Sequence, residues 1–207
     1  MIPVNILAVR YLASATDGLS RALGAPEGFP CLGLITTDCD DATYIALDEA
    51  TKAAEVQVCF GSSFYAGAAN ASTPHAGEVL GILCATTPGA VRSGMEAAVS
   101  ALGRLGFETA GEVPYLAHTI SSCGSFLAKE AGVTEGSALA YLIAPPLESM
   151  YAMDAALKAA DVTLCKLYAP PSPTNFGGAL LTGTQSACSA ACAAFAEAVA
   201  EVAQNPR

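Results

Sequence analysis

Positive charge is what this chain has least of: nine Lys and Arg stand against nineteen Asp and Glu, for a net charge of −10. A polyphosphate backbone needs a basic stripe to displace its counterions, and none can be assembled from so few cations, which excludes nucleic acid as a partner. Charge of either sign is thin, at 14% of residues against a usual ~25%. Histidine occurs only twice and no Cys-x-x-Cys pair accompanies the eight cysteines, so a metal site lacks its donor set and none is expected. Long hydrophobic runs are missing too. The charge-free stretch 170–196 is broken by Thr174, Asn175, Thr182, Gln185 and Ser186 and is made largely of Ala and Gly. A membrane span needs about 20 strongly apolar residues, so no membrane segment is expected. Met1-Ile2-Pro3 offers no basic start for a secretory leader, and the cysteines are therefore expected to be free thiols that pack as small hydrophobes.

What the chain does have is apolar surface and a repeat. Hydrophobic residues make up 53% and mean hydropathy is +0.45, too apolar for an ordinary soluble monomer, which points to burial against other protein subunits. The run Asp48-Glu49-Ala50-Thr51-Lys52-Ala53-Ala54-Glu55-Val56 returns half a chain later as Asp154-Ala155-Ala156-Leu157-Lys158-Ala159-Ala160-Asp161-Val162. The register extends outward: Leu32-Gly33-Leu34-Ile35 precedes the first copy as Leu139 to Ile143 precedes the second, and an Ala-rich run opens behind Thr87 or Thr184. A period near half the chain is too long for a solenoid unit and suits two like α/β domains.

Each copy reads as strand, helix, strand, strand, helix, with residues 4–13 and 115–123 as an additional strand ahead of each. The fold class is α/β (α+β), two small antiparallel sheets with helices packed on them. Asp40 or Asp41 can cap the first helix. Thr87-Pro88 is a cap followed by the Pro favoured at the first helical position, and Val91, Met95, Ala98 and Leu102 then recur at three and four. Cys188, Cys192, Phe195, Val199 and Val202 repeat that stripe in the second copy.

Several long runs together resemble the EutL family of ethanolamine-utilisation shell proteins: residues 32–44, Ser63-Phe64-Tyr65-Ala66-Gly67-Ala68, Gly77-Glu78-Val79, residues 141–148 and Leu181-Thr182-Gly183-Thr184-Gln185. The resemblance covers nearly the whole chain. It implies two circularly permuted bacterial microcompartment (BMC) domains, at residues 1–108 and 109–207. It further implies a homotrimer that imitates a hexagonal tile, packs beside other microcompartment shell proteins in the cytoplasm, and passes small molecules through pores. Neither a cofactor nor catalysis is implied. By the same resemblance, Asp40, Asp41, Tyr65, Glu78, Thr182 and Thr184 line a small channel that takes an amino alcohol such as ethanolamine. Phe64, Gly67, Asn70, Asn175 and Phe176 belong to loops around a central, gated pore. Family features are altered in places: Ser122-Cys123-Gly124-Ser125 stands where an Arg-Thr-Gly-Ser is usual, the linker at 103–114 is short, and Phe107 is its one aromatic.

The residues themselves are compatible with this and with plainer readings. Asp38, Asp40 and Asp41 follow the first strand, where the second copy has Ala144, Pro145 and Pro146, so an acidic cluster exists on one half only. Carboxylates near an aromatic ring attract an ammonium group, while the same aspartates in a helix's first turn favour its dipole, and both roles stay open. The loop 61–76 is long and built of small residues, and its counterpart 170–177 is Pro-rich. It is expected to be a gate, with an inert surface loop as the alternative. His118 near Ser121, Ser122 and Cys123 offers a nucleophile and a base, but no orienting acid accompanies them and an enzyme is not expected. A shell protein for another cargo, or a soluble sensor of the same duplicated fold, are the alternatives; a sensor stays a discrete oligomer where a shell tile forms sheets.

Overall fold

The computed structural model describes residues 1–64, 77–170 and 172–207. Along these the elements run β1 (Ile2–Pro3), β2 (Ile6–Leu12), α1 (Asp17–Ala22), β3 (Cys31–Thr37), α2 (Asp40–Ala53), β4 (Gln57–Ser63), β5 (Val79–Ala85) and α3 (Pro88–Leu102). They continue with β6 (Gly106–Ala110), β7 (Val113–Ile120), α4 (Ser125–Ala131), β8 (Ala138–Ala144), α5 (Pro146–Ala159), β9 (Val162–Tyr168), β10 (Gly177–Gly183) and α6 (Gln185–Gln204). The chain divides into two units, one of residues 3–105 with 124–127, the other of residues 1–2, 106–123 and 128–207.

In the first unit the strands lie in the order β2-β3-β5-β4, every pair antiparallel. The central strand β3 reads Cys-Leu-Gly-Leu-Ile-Thr-Thr and is buried along most of its length, as a strand covered on both faces must be. Helices α2 and α3 lie on one face. They come close because small residues face them: a side chain at Gly33 would run into Val91 and Met95 of α3. On the other face Leu32, Ile82 and Cys84 join Ala15, with Leu23, Ala25 and Phe29 of the α1 segment packed against them.

The second unit's sheet runs β1-β6-β7-β8-β10-β9. All seven residues of β8 are buried, and α5 and α6 cover one face through Ala140, Leu142, Ala152, Met153, Ala156, Cys188, Ala191, Phe195 and Val199. Helix α6 is long and apolar enough by composition to cross a membrane. Its apolar stripe is instead the packed side of an amphipathic helix on its own sheet, with Phe195 fully buried. Strands β7-β8-β10-β9 repeat the order of β2-β3-β5-β4, and a short helix, α4 or α1, falls between the first two strands of each set.

Both Ala-rich helices open as the sequence predicts. Thr87 Oγ1 accepts the Ala90 N–H at 3.2 Å, and Thr184 Oγ1 accepts the Ala187 N–H at 3.1 Å. The expectation that Asp40 or Asp41 caps α2 is corrected. Cys39 occupies the cap position and makes no side-chain cap bond, while both aspartates lie inside the first turn. The loop taken to start at residue 61 also starts later, because Ser62 and Ser63 still pair with Leu80 and Val79 in the ladder.

Candidate functional site

The acidic cluster of the first unit is built where three strand ends meet. Gly77 crosses directly over the end of β3, where any side chain would overlap the Thr37 carbonyl, so glycine alone fits this approach. The next residue is tied on both sides: the Glu78 N–H donates to the Thr37 carbonyl at 2.8 Å, and its own carbonyl accepts the Phe64 N–H at 2.9 Å. Glu78 is thereby fixed beside the turn that leads from β3 into α2.

That turn is held by its threonines. Thr37 Oγ1 accepts the Cys39 N–H at 3.1 Å and lies 2.7 Å from Thr43 Oγ1, which donates to the Cys39 carbonyl at 2.7 Å. Asp40 and Asp41 follow, each only 7% exposed, and Asp40 Oδ1 accepts the Asp41 N–H at 2.9 Å. Asp38, exposed, accepts the backbone N–H and the side-chain amide of Asn5 at 2.8 and 2.7 Å. Partial burial together with the charges of Asp40 and Asp38 raises the Glu78 carboxyl above its ordinary range. Burial, reinforced by the neighbouring aspartates, raises the Cys39 thiol, so it stays protonated. Among the described residues no Lys or Arg forms an ion pair with Asp38, Asp40 or Glu78. The grouped carboxylates make the local potential negative.

Asp38 belongs to the acidic cluster already legible in the sequence, and Asn5, which binds it, is the residue that the sequence does not mark. Asn5 lies ahead of β2, far from the cluster in sequence, and nothing local marks it.

Asp48 is a second buried carboxylate and has a different task. It is 1% exposed on α2, and its two oxygens accept the N–H groups of Gly124 and Leu127 at 2.7 and 2.8 Å, across the start of α4. The Ser125 N–H donates to the Thr51 hydroxyl oxygen at 3.1 Å. Burial raises the Asp48 carboxyl, with the two N–H donors and Lys52 opposing. The free N–H groups at a helix start are thus satisfied from another helix.

Tyr65, Gly67 and Asn70 lie outside the described residues, as does most of the expected gate; Phe64, just ahead of them, is exposed. Thr182 and Thr184 belong to the second unit. There the Thr182 hydroxyl donates to the Ala138 carbonyl at 2.9 Å, and Thr184 caps α6 and lies 3.0 Å from Ser186 Oγ. Asn175 is left-handed, at φ 64°, a conformation asparagine tolerates well, and its N–H donates to the Ser172 carbonyl at 3.1 Å. Phe176 N–H donates to Ser172 Oγ at 3.1 Å, and its ring meets Phe107 edge-on at 5.7 Å between centroids. Cys123 is buried, with its thiol toward the Thr134 carbonyl at 3.7 Å, a structural placement.

The BMC domain family model matches residues 31–114. Over its whole length the chain is 56% identical to the bacterial microcompartment shell protein EutL of Clostridium perfringens, covering 97% of that protein. It is 48% identical to the EutL of Salmonella typhimurium, covering 96%. The crystal structure of ethanolamine utilization protein EutL from Leptotrichia buccalis superposes with a TM-score of 0.96 at 56% identity, over 99% of this chain and 96% of that one. The trimeric bacterial microcompartment shell protein PduB shares the fold at 19% identity, with a TM-score of 0.78 over 95% of this chain and 88% of that one.

Proposed function

The chain belongs to the EutL family of bacterial microcompartment shell proteins, and from that premise we propose that three copies close into a pseudohexagonal tile with a cation-favouring passage at its acidic cluster. As a shell protein it is a structural component of the compartment wall and not an enzyme. A fused pair of like units supplies six similar edges with three chains, which accounts for the duplication and for the scarcity of charge. Two shell domains, at residues 1–108 and 109–207, are the reading the sequence repeat supports, and the division of the chain into two units near residues 105 and 106 is in keeping with it.

The observation that carries the passage is the grouping of Asp38, Asp40 and Glu78, with no Lys or Arg paired to them among the described residues and with Glu78 raised by burial and by its acidic neighbours. Such a cluster gains from a small cation that it can partly strip of water, and an ammonium group supplies one charge with several donors. Ethanolamine is the ligand proposed, since the relatives are ethanolamine-utilisation proteins. Calorimetric titration of ethanolamine into the wild type and into the Asp40→Asn, Glu78→Gln double variant tests it. Binding should weaken at least tenfold in the variant with the assembly's mass unchanged; equal affinities would remove the cluster from the passage.

A further inference from the structure

We propose that Cys59 and Cys84 form a dithiol that a low-molecular-weight disulfide converts into an intramolecular disulfide, a modification site that ties the edge strand β4 to β5. All eight cysteines are free, and these two pack together on one face of a sheet. They lie on paired antiparallel strands, on the sheet face opposite α2 and α3. Cys84 belongs to the buried cluster there and Cys59 packs against it. The ladder pairs Gln57 with Cys84, Val58 with Leu83 and Phe60 with Ile82, so Cys59 is the extra residue of a β-bulge. Gln57 faces Cys84, and Cys59, two residues on, returns to the same face. Both side chains pack into the same cluster, close enough for each thiol to shift the acidity of the other, and Cys59 Sγ donates to the Ile82 carbonyl at 3.6 Å.

The two sulfurs are unequal in a way that orders the chemistry. Cys84 is fully buried, and Cys59 is partly exposed on the outermost strand. The neighbouring Cys84 thiol lowers the Cys59 thiol, while Cys59 and burial raise Cys84. Cys59 is therefore the attacking thiolate and Cys84 the resolving thiol. In the first step the Cys59 thiolate displaces one thiolate from the small disulfide, forming a mixed disulfide. In the second, Cys84 sulfur attacks Cys59 sulfur and expels the second thiolate, which takes up the Cys84 proton. Two protein thiols are oxidised and one small disulfide is reduced to two thiols. The product fixes an edge strand whose bulge otherwise interrupts its ladder. Partly exposed Cys165 of β9 lies near buried Cys188 of α6, but those two sit on a strand and a helix and not on paired strands.

Oxidised glutathione applied to the native full chain, followed by alkylation in denaturant and mass spectrometry, tests the proposal. Cleavage after Glu separates residues 56–78 from 79–96, and each peptide holds one cysteine. The wild type should lose two alkylatable thiols with no glutathione retained and give these two peptides joined. Cys84→Ser should stop at a glutathione adduct on Cys59, and Cys59→Ser should leave Cys84 alkylatable. Retention of both thiols, a persistent adduct on Cys59 in the wild type, or a link from Cys59 to any other cysteine would overturn the proposal. The wild-type peptide map decides the matter even where a serine variant fails to fold.

Discussion

A carboxylate that is half-buried beside two others holds its proton to higher pH than it would in water, and Glu78 is such a group. The folded chain therefore binds the Glu78 proton more tightly than the unfolded chain does. The group's stabilising contribution is fully present below the unfolded pKa of about 4.3 and is lost as pH rises through the raised folded value. Glu78→Gln should accordingly match or exceed the wild type in denaturant midpoint at pH 7, and that advantage should vanish near pH 4. The same proton competes with an ammonium ligand, so ethanolamine affinity should fall as pH is lowered through the Glu78 transition and become insensitive to pH in Glu78→Gln. Asp48 shows how one repeated letter has two outcomes. Its counterpart Asp154 is exposed and pairs with Lys158 four residues on, whereas Asp48 is buried and holds the start of α4. The local sequences are nearly the same, and the difference lies in a helix start 76 residues away. No reading of the local pattern could have separated them. Asp48→Ala should cost about 3 kcal/mol, since it orphans two buried N–H groups, and Asp48→Asn less, because the amide oxygen still accepts one of them. Chemical denaturation of both variants measures the difference.

Helices and strands were legible where their signals are local. Thr87 with Pro88 and Thr184 mark helix starts because a hydroxyl needs only the N–H three residues on, and both bonds form. The stripe Cys188, Cys192, Phe195, Val199 is buried as its spacing demands. Aspartate is a strong cap former, which is why the local pattern points to Asp40 or Asp41 as the cap of α2. The cap position instead goes to Cys39, whose own N–H and carbonyl are held by Thr37 and Thr43 before any aspartate is reached. Thr184→Ala should lower stability by about 1 kcal/mol, which for a domain of this size is a fall of roughly 2–4 °C in Tm. Gly77→Ala should cost more, about 2 kcal/mol, because its methyl group must displace the Thr37 carbonyl to which Glu78 is bonded. That variant should also weaken ethanolamine binding, because it disturbs the turn that holds Glu78. Calorimetric melting and titration of the two variants side by side distinguish stability from site geometry.

The low charge content leaves each unit with apolar side chains that its own core does not take. On α5, Leu147 is 66% exposed, and Met150 and Tyr151 are exposed with it at spacings of three and four, a single stripe along the helix. Leu164 and Leu167 are exposed on β9, an outermost strand, and Ile6, Tyr11 and Leu12 on β2, the outer strand of the other sheet. A lone exposed leucine is ordinary, but a stripe at helical spacing is the mark of a face meant for another surface. For a member of a shell-protein family, another copy or a neighbouring tile is the surface we propose for it. The purified chain should therefore have the mass of a trimer across micromolar concentrations and form hexagonally packed layers when concentrated, as seen by native mass spectrometry and electron microscopy. Leu147→Glu combined with Met150→Glu places two like charges in the stripe, where burying them unpaired is costly. Both positions already face water within the unit, so its fold and melting should change little, while the trimer or the layer is lost. A double variant that still forms the same trimers and the same layers would mean that the α5 stripe meets no partner, and that the tile closes through the sheet edges alone.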